Sequence, residues 1–262
     1  MQVKAFQRLR YLVCAVFILA LRLVSWQGMA AIPAAERAAL IALYNSTSGA
    51  GWTDKTGWKT PPLYTDGFAM PGTESGWHGV TVSADHVATI LLSVNKLSGS
   101  IPTQLSNLTK LINPSLDLRW NALYTTDSAL RTFLNTRQNG GNWESTQTIL
   151  PTNLAAGSLS TNSVNVTWTP IAYTADTGGY RVYYSQYVGG PYTLFNTTAN
   201  KSASSLPVTG LTSGMTYFFK VQTVTNPHTK NQNTVISQLS TPISDTTGLT
   251  TPGKAYLPTI VR

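Results

Sequence analysis

Glu74 and Asp85 stand on either side of Trp77. Two carboxyls and an aromatic ring are what a glycosidase needs: one acid to protonate the leaving oxygen, a second to attack or to activate water, and a face on which a sugar can stack. Nothing in the sequence builds a sugar cleft around this pair, and the remaining acids are mostly isolated. No G-x-S-x-G turn exposes a serine nucleophile. The three histidines, His78, His86 and His228, fall in no H-E-x-x-H or other paired spacing, so no metal is indicated. Asp66-Gly67 and Asp176-Thr177-Gly178-Gly179 lack the alternating oxygen ligands of a calcium loop and read as turns. Glycine-rich phosphate cradles are absent too. The expectation is a protein that is not an enzyme and that uses no cofactor.

Binding chemistry is more promising, and it rests on a repeat. Val87, Ile90, Leu92, Asn95 and Leu97 follow L-x-x-L-x-L-x-x-N-x-L, and a second copy begins at Leu116, Leu118, Asn121 and Leu123. In this pattern the apolar residues point into a shared core, while each asparagine satisfies backbone groups in the turn leaving its strand. The alternate positions then point outward: Leu91, Ser93 and Val94 in the first copy, and Asp117, Arg119 and Trp120 in the second. Parallel strands about 4.8 Å apart would set Leu91 beside Asp117 and Val94 beside Trp120. Tryptophan and arginine are enriched at binding hot spots, so these six residues form the candidate binding surface. The competing expectation is that Trp120 is covered by the following helix or by a second domain.

Two repeats cannot bury their own ends, so both must be capped. The stretch from Ala34 puts Leu40, Leu43 and Tyr44 on one helical face, with Asn45 and Gly49 as stop signals. Trp52, Trp58 and Trp77 follow and are read as packing residues of this cap, with a sugar-stacking platform as the alternative. On the other side TTDSALRTFLNTRQ places Ala129, Leu130, Phe133 and Leu134 on one face, with Thr126 as N-cap and Gly140-Gly141 as the end.

Residues 33 to 150 resemble the plant-type or bacterial leucine-rich-repeat family, including an N-terminal cap of helix, GWxxxxGW and WxGV. Here these are Gly51-Trp52 through Gly57-Trp58, and Trp77-His78-Gly79-Val80. Many caps of the family carry a cysteine pair, and Val82 stands where one cysteine would be expected. From Asn95 to Asn121 is 26 residues, slightly longer than a repeat of about 24, and the surplus falls in LINPSLDL, where Pro114 predicts a small bulge.

Around Pro151 the texture changes to period-two alternation: Val164, Val166 and Trp168; Tyr180, Val182 and Tyr184; Tyr217, Phe219 and Val221. Turn clusters separate them, the pattern of an antiparallel sandwich. SVNVTWTP, GGYRVYYS and GLTSGMTYFFKVQTV, in that order, are similar to the fibronectin type III family. The resemblance implies that Trp168 is the buried tryptophan of the second strand, Leu211 the leucine before the corner, and Tyr217 the tyrosine whose hydroxyl bonds back to the corner backbone. Ser213 replaces a proline often found there, and Gly214 still supplies the turn. The loop TNPHTKNQNT before the last strand contains no RGD.

The chain opens with Lys4, Arg8 and Arg10, an apolar run from Tyr11 to Leu21, and small residues around Ala30, the plan of a secretory signal peptide. Arg22 limits the apolar run, whereas a spanning helix needs about 20 residues; cleavage near Ala30 is expected, with an uncleaved anchor as the alternative. Cleavage removes the only cysteine, Cys14, and leaves fourteen basic residues against ten acids, a net charge of about +4. A scattered excess of that size does not suggest nucleic acid. Five Asn-x-Ser/Thr sites occur, at Asn45, Asn107, Asn165, Asn196 and Asn200. The chain ends AYLPTIVR, which is not a sortase signal and resembles short YLPxxxR tails of some secreted bacterial proteins.

The expected fold class is multidomain and β-rich, a short capped leucine-rich-repeat α/β unit plus an immunoglobulin-like (fibronectin type III) β-sandwich. The bounds are 1–30 for the signal peptide, 31–150 for the repeat unit with its caps, 151–247 for the sandwich and 248–262 for a linker and tail. The expected function is a secreted or cell-surface, non-catalytic binding or adhesion protein. Its partner would be an extracellular protein or polysaccharide, with no nucleic acid and no stable membrane span after signal cleavage. The alternative is an accessory or inhibitory subunit of an extracellular hydrolase.

Overall fold

The computed structural model describes residues 31–249. The signal segment with Cys14 and the YLP tail lie outside the described residues. Two separate hydrophobic cores, one from Ile32 to Trp143 and one from Val164 to Val221, divide the chain near Pro151.

Helix α1 (Ala34–Ser46) buries Ala39, Leu40, Leu43 and Tyr44. Thr47 closes it by returning both its N–H and its hydroxyl to the Leu43 carbonyl. Tyr44, Trp52, Trp58, Phe68 and Trp77 then form one aromatic cluster, with ring centroids 4.7–5.9 Å apart. Trp52, Trp58 and Trp77 are 2%, 0% and 1% exposed, so they are core and offer no platform to a sugar. Burying about 150–250 Å² per ring at about 25 cal/mol/Å² makes each worth on the order of 4–6 kcal/mol as an upper estimate. Val82 packs against the same core.

The helix also carries charge inward, which its apolar pattern does not reveal. Arg37 lies 5.2 Å from the Trp77 ring and binds Asp66, Glu74 and the Ala69 carbonyl. Burial lowers the Arg37 pKa, but the two carboxylates outweigh it and the net shift is upward. Glu36 accepts from the Val87 N–H at 2.7 Å and lies 2.6 Å from His86 Nδ1.

Strands β1 (Val80–Ser83) and β2 (His86–Leu91) form a hairpin, and β2 pairs in parallel with β4 (Leu116–Asp117), Leu91 standing opposite Asp117. A second parallel pair joins β3 (Ser98–Ser100) to β5 (Ala122–Tyr124). Buried amides run between these coils. Asn95 exchanges hydrogen bonds with the backbone of Asp54. Asn121 accepts from Asn95 N and Leu97 N and donates to the carbonyls of Leu92, Leu118 and Arg119. Gln147 accepts from Leu123 N and donates to Leu118 O and Trp143 O. Residues 95, 121 and 147 are evenly spaced along the chain, and each sets a buried amide against backbone groups of a neighbouring segment. The bridge between Leu116 and Gln138 adds a further parallel rung.

Helix α2 (Ser128–Asn135) differs from the expectation at both ends. Its N-cap is Asp127, whose carboxylate accepts from Leu130 N at 2.8 Å, because a carboxylate favours the positive end of the helix and Thr126 lies one residue too early. It ends before Gly140, since the chain must extend at Arg137–Asn139 to bond Leu116. Leu130 and Leu134 are buried with Phe133 against the same core, whereas Ala129 is exposed.

In the C-terminal unit one sheet comprises β6 (Thr152–Ser160), β7 (Ser163–Thr169) and β10 (Ser205–Val208). The facing sheet comprises β8 (Gly178–Ser185), β9 (Thr193–Thr197), β11 (Thr216–Thr225), β12 (Val235–Ile236) and β13 (Ile243–Thr246). Val164, Val166, Trp168, Tyr180, Val182, Tyr217, Phe219 and Val221 fill the space between them. Trp168 donates to Ala203 O at 2.8 Å. The Tyr217 hydroxyl accepts from Thr212 N at 3.1 Å, tying the corner. The last strand is split: between β12 and β13 the hydroxyls of Ser237 and Ser240 accept from Thr223 N and Val221 N in place of backbone carbonyls. Among the described residues no helix is long and apolar enough to cross a membrane.

Candidate functional site

The six residues expected to point outward from the strands meet different fates. Leu91 is 46% exposed, and Ser93 is half-buried beside it. Asp117 is buried, contrary to its expected outward exposure, because Arg119 and Gln138 close over it. The Arg119 guanidinium donates from Nε and Nη2 to the two Asp117 oxygens at 2.9 and 2.7 Å, and its backbone N–H adds a third bond. Burial raises the Asp117 pKa, but these bonds and the arginine charge outweigh it and hold the carboxyl below its ordinary range. Arg119 also lies 4.7 Å from the Trp120 ring and donates to Gly140 O. Gly140 has φ 71°, the left-handed region that favours glycine, and a Cβ there would stand 2.6 Å from that guanidinium and displace it. Arg119 is therefore the counter-ion of a buried acid rather than a free cation.

Val94 and Trp120 sit at equivalent points of the two coils, both in the left-handed region at φ 63° and 53°. Such backbone is uncommon outside glycine and strained for a β-branched residue, at about 1–3 kcal/mol each. Both carbonyls are taken by the sandwich. In the loop between β11 and β12, Asn231 Nδ2 donates to Trp120 O at 2.8 Å and Asn233 Nδ2 to Val94 O at 3.0 Å. Thr53 bonds Asn233 as well. The Trp120 ring packs against the sandwich core, the expected alternative. Val94 and Trp120 thus belong to the contact between the units, and the loop that a fibronectin-type module could present to a partner faces its own chain.

A second buried contact lies next to it. Thr148, on the turn leading out of the repeat unit, bonds Thr225 hydroxyl to hydroxyl at 2.7 Å, and Lys201 Nζ donates to Thr225 at 3.1 Å. Lys201 is 2% exposed, with its ammonium 3.9 Å from the Tyr173 ring centroid. Burial pushes its pKa down to about 8 against the upward pull of Asp176. No spacing in the sequence singles out Lys201, Asn231 or Asn233; their roles appear only when the two units meet.

Of the two acids considered for catalysis, one is already bound. Glu74 is 1% exposed, one oxygen held by Arg37 and the other by Gly72 N at 2.8 Å. Asp85 lies in the β1–β2 turn, and both border one cavity of about 360 Å³. A carboxylate already bound to a guanidinium and a backbone N–H is poorly placed to exchange protons with a substrate. Among the described residues no three His, Cys, Asp or Glu side chains gather as a metal site.

Residues 150–238 match the family model of the fibronectin type III domain, so the chain carries such a domain, with β13 lying beyond the matched residues. Among solved structures the chain is similar to the fn3 domain of human collagen alpha-1(XX) chain, at 20% identity over 40% of this chain and 90% of that one, TM-score 0.32. It is similar to the fn3 domain of human contactin 1, at 15% identity over 40% and 82%, TM-score 0.31. A Fn3-like protein from Clostridium thermocellum shares 33% identity over 34% and 88%, TM-score 0.25. No curated protein matches the chain.

Proposed function

We propose that this chain is a secreted or cell-surface, non-catalytic recognition protein. In this reading the fibronectin type III domain braces a short leucine-rich-repeat unit whose open strand face meets an extracellular protein or polysaccharide. Support for the repeat comes from the parallel pairing of β2 with β4 and β3 with β5, the buried leucines, and the amide series Asn95, Asn121 and Gln147. Fibronectin type III domains are non-catalytic modules common in extracellular proteins, and of the two candidate acids Glu74 is bound to Arg37 as its counter-ion.

The observation that carries the reading is the division of the strand face. Its Val94 and Trp120 end is held by Asn233 and Asn231, whereas Leu91 remains open beside the Asp117–Arg119 pair. An exposed apolar side chain beside an ordered arginine gives this end of the face both apolar area to bury and a residue type enriched at interfaces. Leu91→Arg is the cleanest perturbation, since Arg119→Ala would strip a buried carboxylate of its partner. Immobilised purified chain is presented with extracellular proteins and, separately, insoluble cell-wall polysaccharide. Leu91→Arg should abolish specific capture while leaving the melting temperature unchanged; unchanged capture would overturn the assignment.

A further inference from the structure

Beyond Leu91 the strand face runs into a cavity of about 580 Å³ between the β1–β2 turn, β2 and the loop that enters β4. Thr89 and Ser115 line it on neighbouring rungs, because the register sets Ile90 opposite Leu116. Ser115 is 4% exposed. Its Oγ and the Thr89 Oγ1 are both buried without a hydrogen-bond partner. Buried hydroxyls are nearly always paired, so two orphans on residues that share one cavity lining call for an acceptor.

The formal charge on the cavity lining is the single positive one of Lys110. Lys110 and His86 line the same cavity, and no carboxylate is among the described residues that do. Glu36 holds His86 through Nδ1 at 2.6 Å, which fixes the ring and leaves Nε2 as its other polar atom. Ile112, 73% exposed, and Pro114 form an apolar lip. No Phe, Tyr or Trp ring lines the cavity, so a sugar lacks the broad face on which it usually stacks.

We infer that this groove takes an acidic side chain from an extended segment of a protein partner. The carboxylate accepts from the Ser115 and Thr89 hydroxyls, which reach it by turning between staggered χ1 wells, and it faces the Lys110 ammonium. Apolar residues beside it pack on Ile112 and Pro114. Charge-assisted hydrogen bonds of this kind are shorter and stronger than neutral ones. The inference rests on the strand face being the recognition surface and names what that surface selects.

The test is a titration of purified chain, followed by amide NMR, with the capped peptide Gly-Leu-Glu-Leu-Gly and its glutamine counterpart. Shifts should concentrate at residues 86–89 and 110–115, with the glutamine peptide at least tenfold weaker. The double variant Ser115→Ala, Thr89→Val should lose at least tenfold in affinity while melting no lower than the parent, because it removes only orphan hydroxyls. Lys110→Glu should lose as much. Equal binding of the glutamine peptide, unchanged affinity in the double variant, or preferential binding of trigalacturonate would overturn the assignment. If the peptide leaves the groove unperturbed while capture still depends on Leu91, the groove falls and the broader reading stands; capture independent of Leu91 overturns that reading instead.

Discussion

Asn121→Ala is the sharpest test of the coil. The side chain is 0% exposed and bonds to five backbone groups in two successive turns. Truncation leaves the N–H groups of Asn95 and Leu97 without their acceptor, at 3.2 and 2.9 Å in the intact chain. A buried donor left unsatisfied costs about 1–3 kcal/mol, and the alanine also opens a small void. The expected loss is on the order of 3–5 kcal/mol, a large share of the roughly 5–15 kcal/mol that stabilises a domain. Urea unfolding followed by tryptophan emission reads it directly, since Trp52, Trp58, Trp77 and Trp143 all sit in this core. Gln147→Ala, which strands only the Leu123 N–H, should cost less, and the exposed Asn45→Ala should change stability by under about 0.5 kcal/mol. A loss below about 1 kcal/mol for Asn121→Ala would refute the ladder as the element that joins the turns.

Asn231→Ala with Asn233→Ala should separate the unfolding of the two units into distinct transitions, read by differential scanning calorimetry; a single transition identical to the parent would show that these amides do not couple them. Trp168→Ala should destabilise the sandwich by about 3–5 kcal/mol in chemical denaturation, because the ring is 4% exposed and packs on Tyr180. Lys201, with its pKa pushed down to about 8, binds fewer protons folded than unfolded up to its ordinary value of about 10.4. Stability should therefore rise with pH from about 8 toward 10, and Lys201→Met should flatten that slope in melting curves.

Much of this architecture is written in apolar spacing. The period-two runs around Trp168, Tyr180 and Tyr217 identify the sandwich strands, and the leucines with Asn95 and Asn121 identify two coils. What spacing hides is polar burial decided by a distant partner. Glu36 and Arg37 are absent from the apolar pattern of α1 but are drawn inward by His86, Asp66 and Glu74. Gln147 does the work of an asparagine in a turn that carries Trp143 rather than the leucine pattern, so no repeat search finds it. Trp120 and Arg119 look like a hot spot by residue type; the ring is covered by the sandwich and the guanidinium neutralises Asp117. Asn231 and Asn233 gain their meaning only from two strained carbonyls in another unit.

Hydrogen exchange on the purified chain with a captured partner, compared with the chain alone, tests the recognition face most directly. New protection is expected across residues 89–93 and 110–119, with no change at Asn231 and Asn233, whose contacts are already made. Protection confined instead to the outer sheet of the sandwich, around Tyr183, Tyr192 and the exposed Leu194, would contradict it.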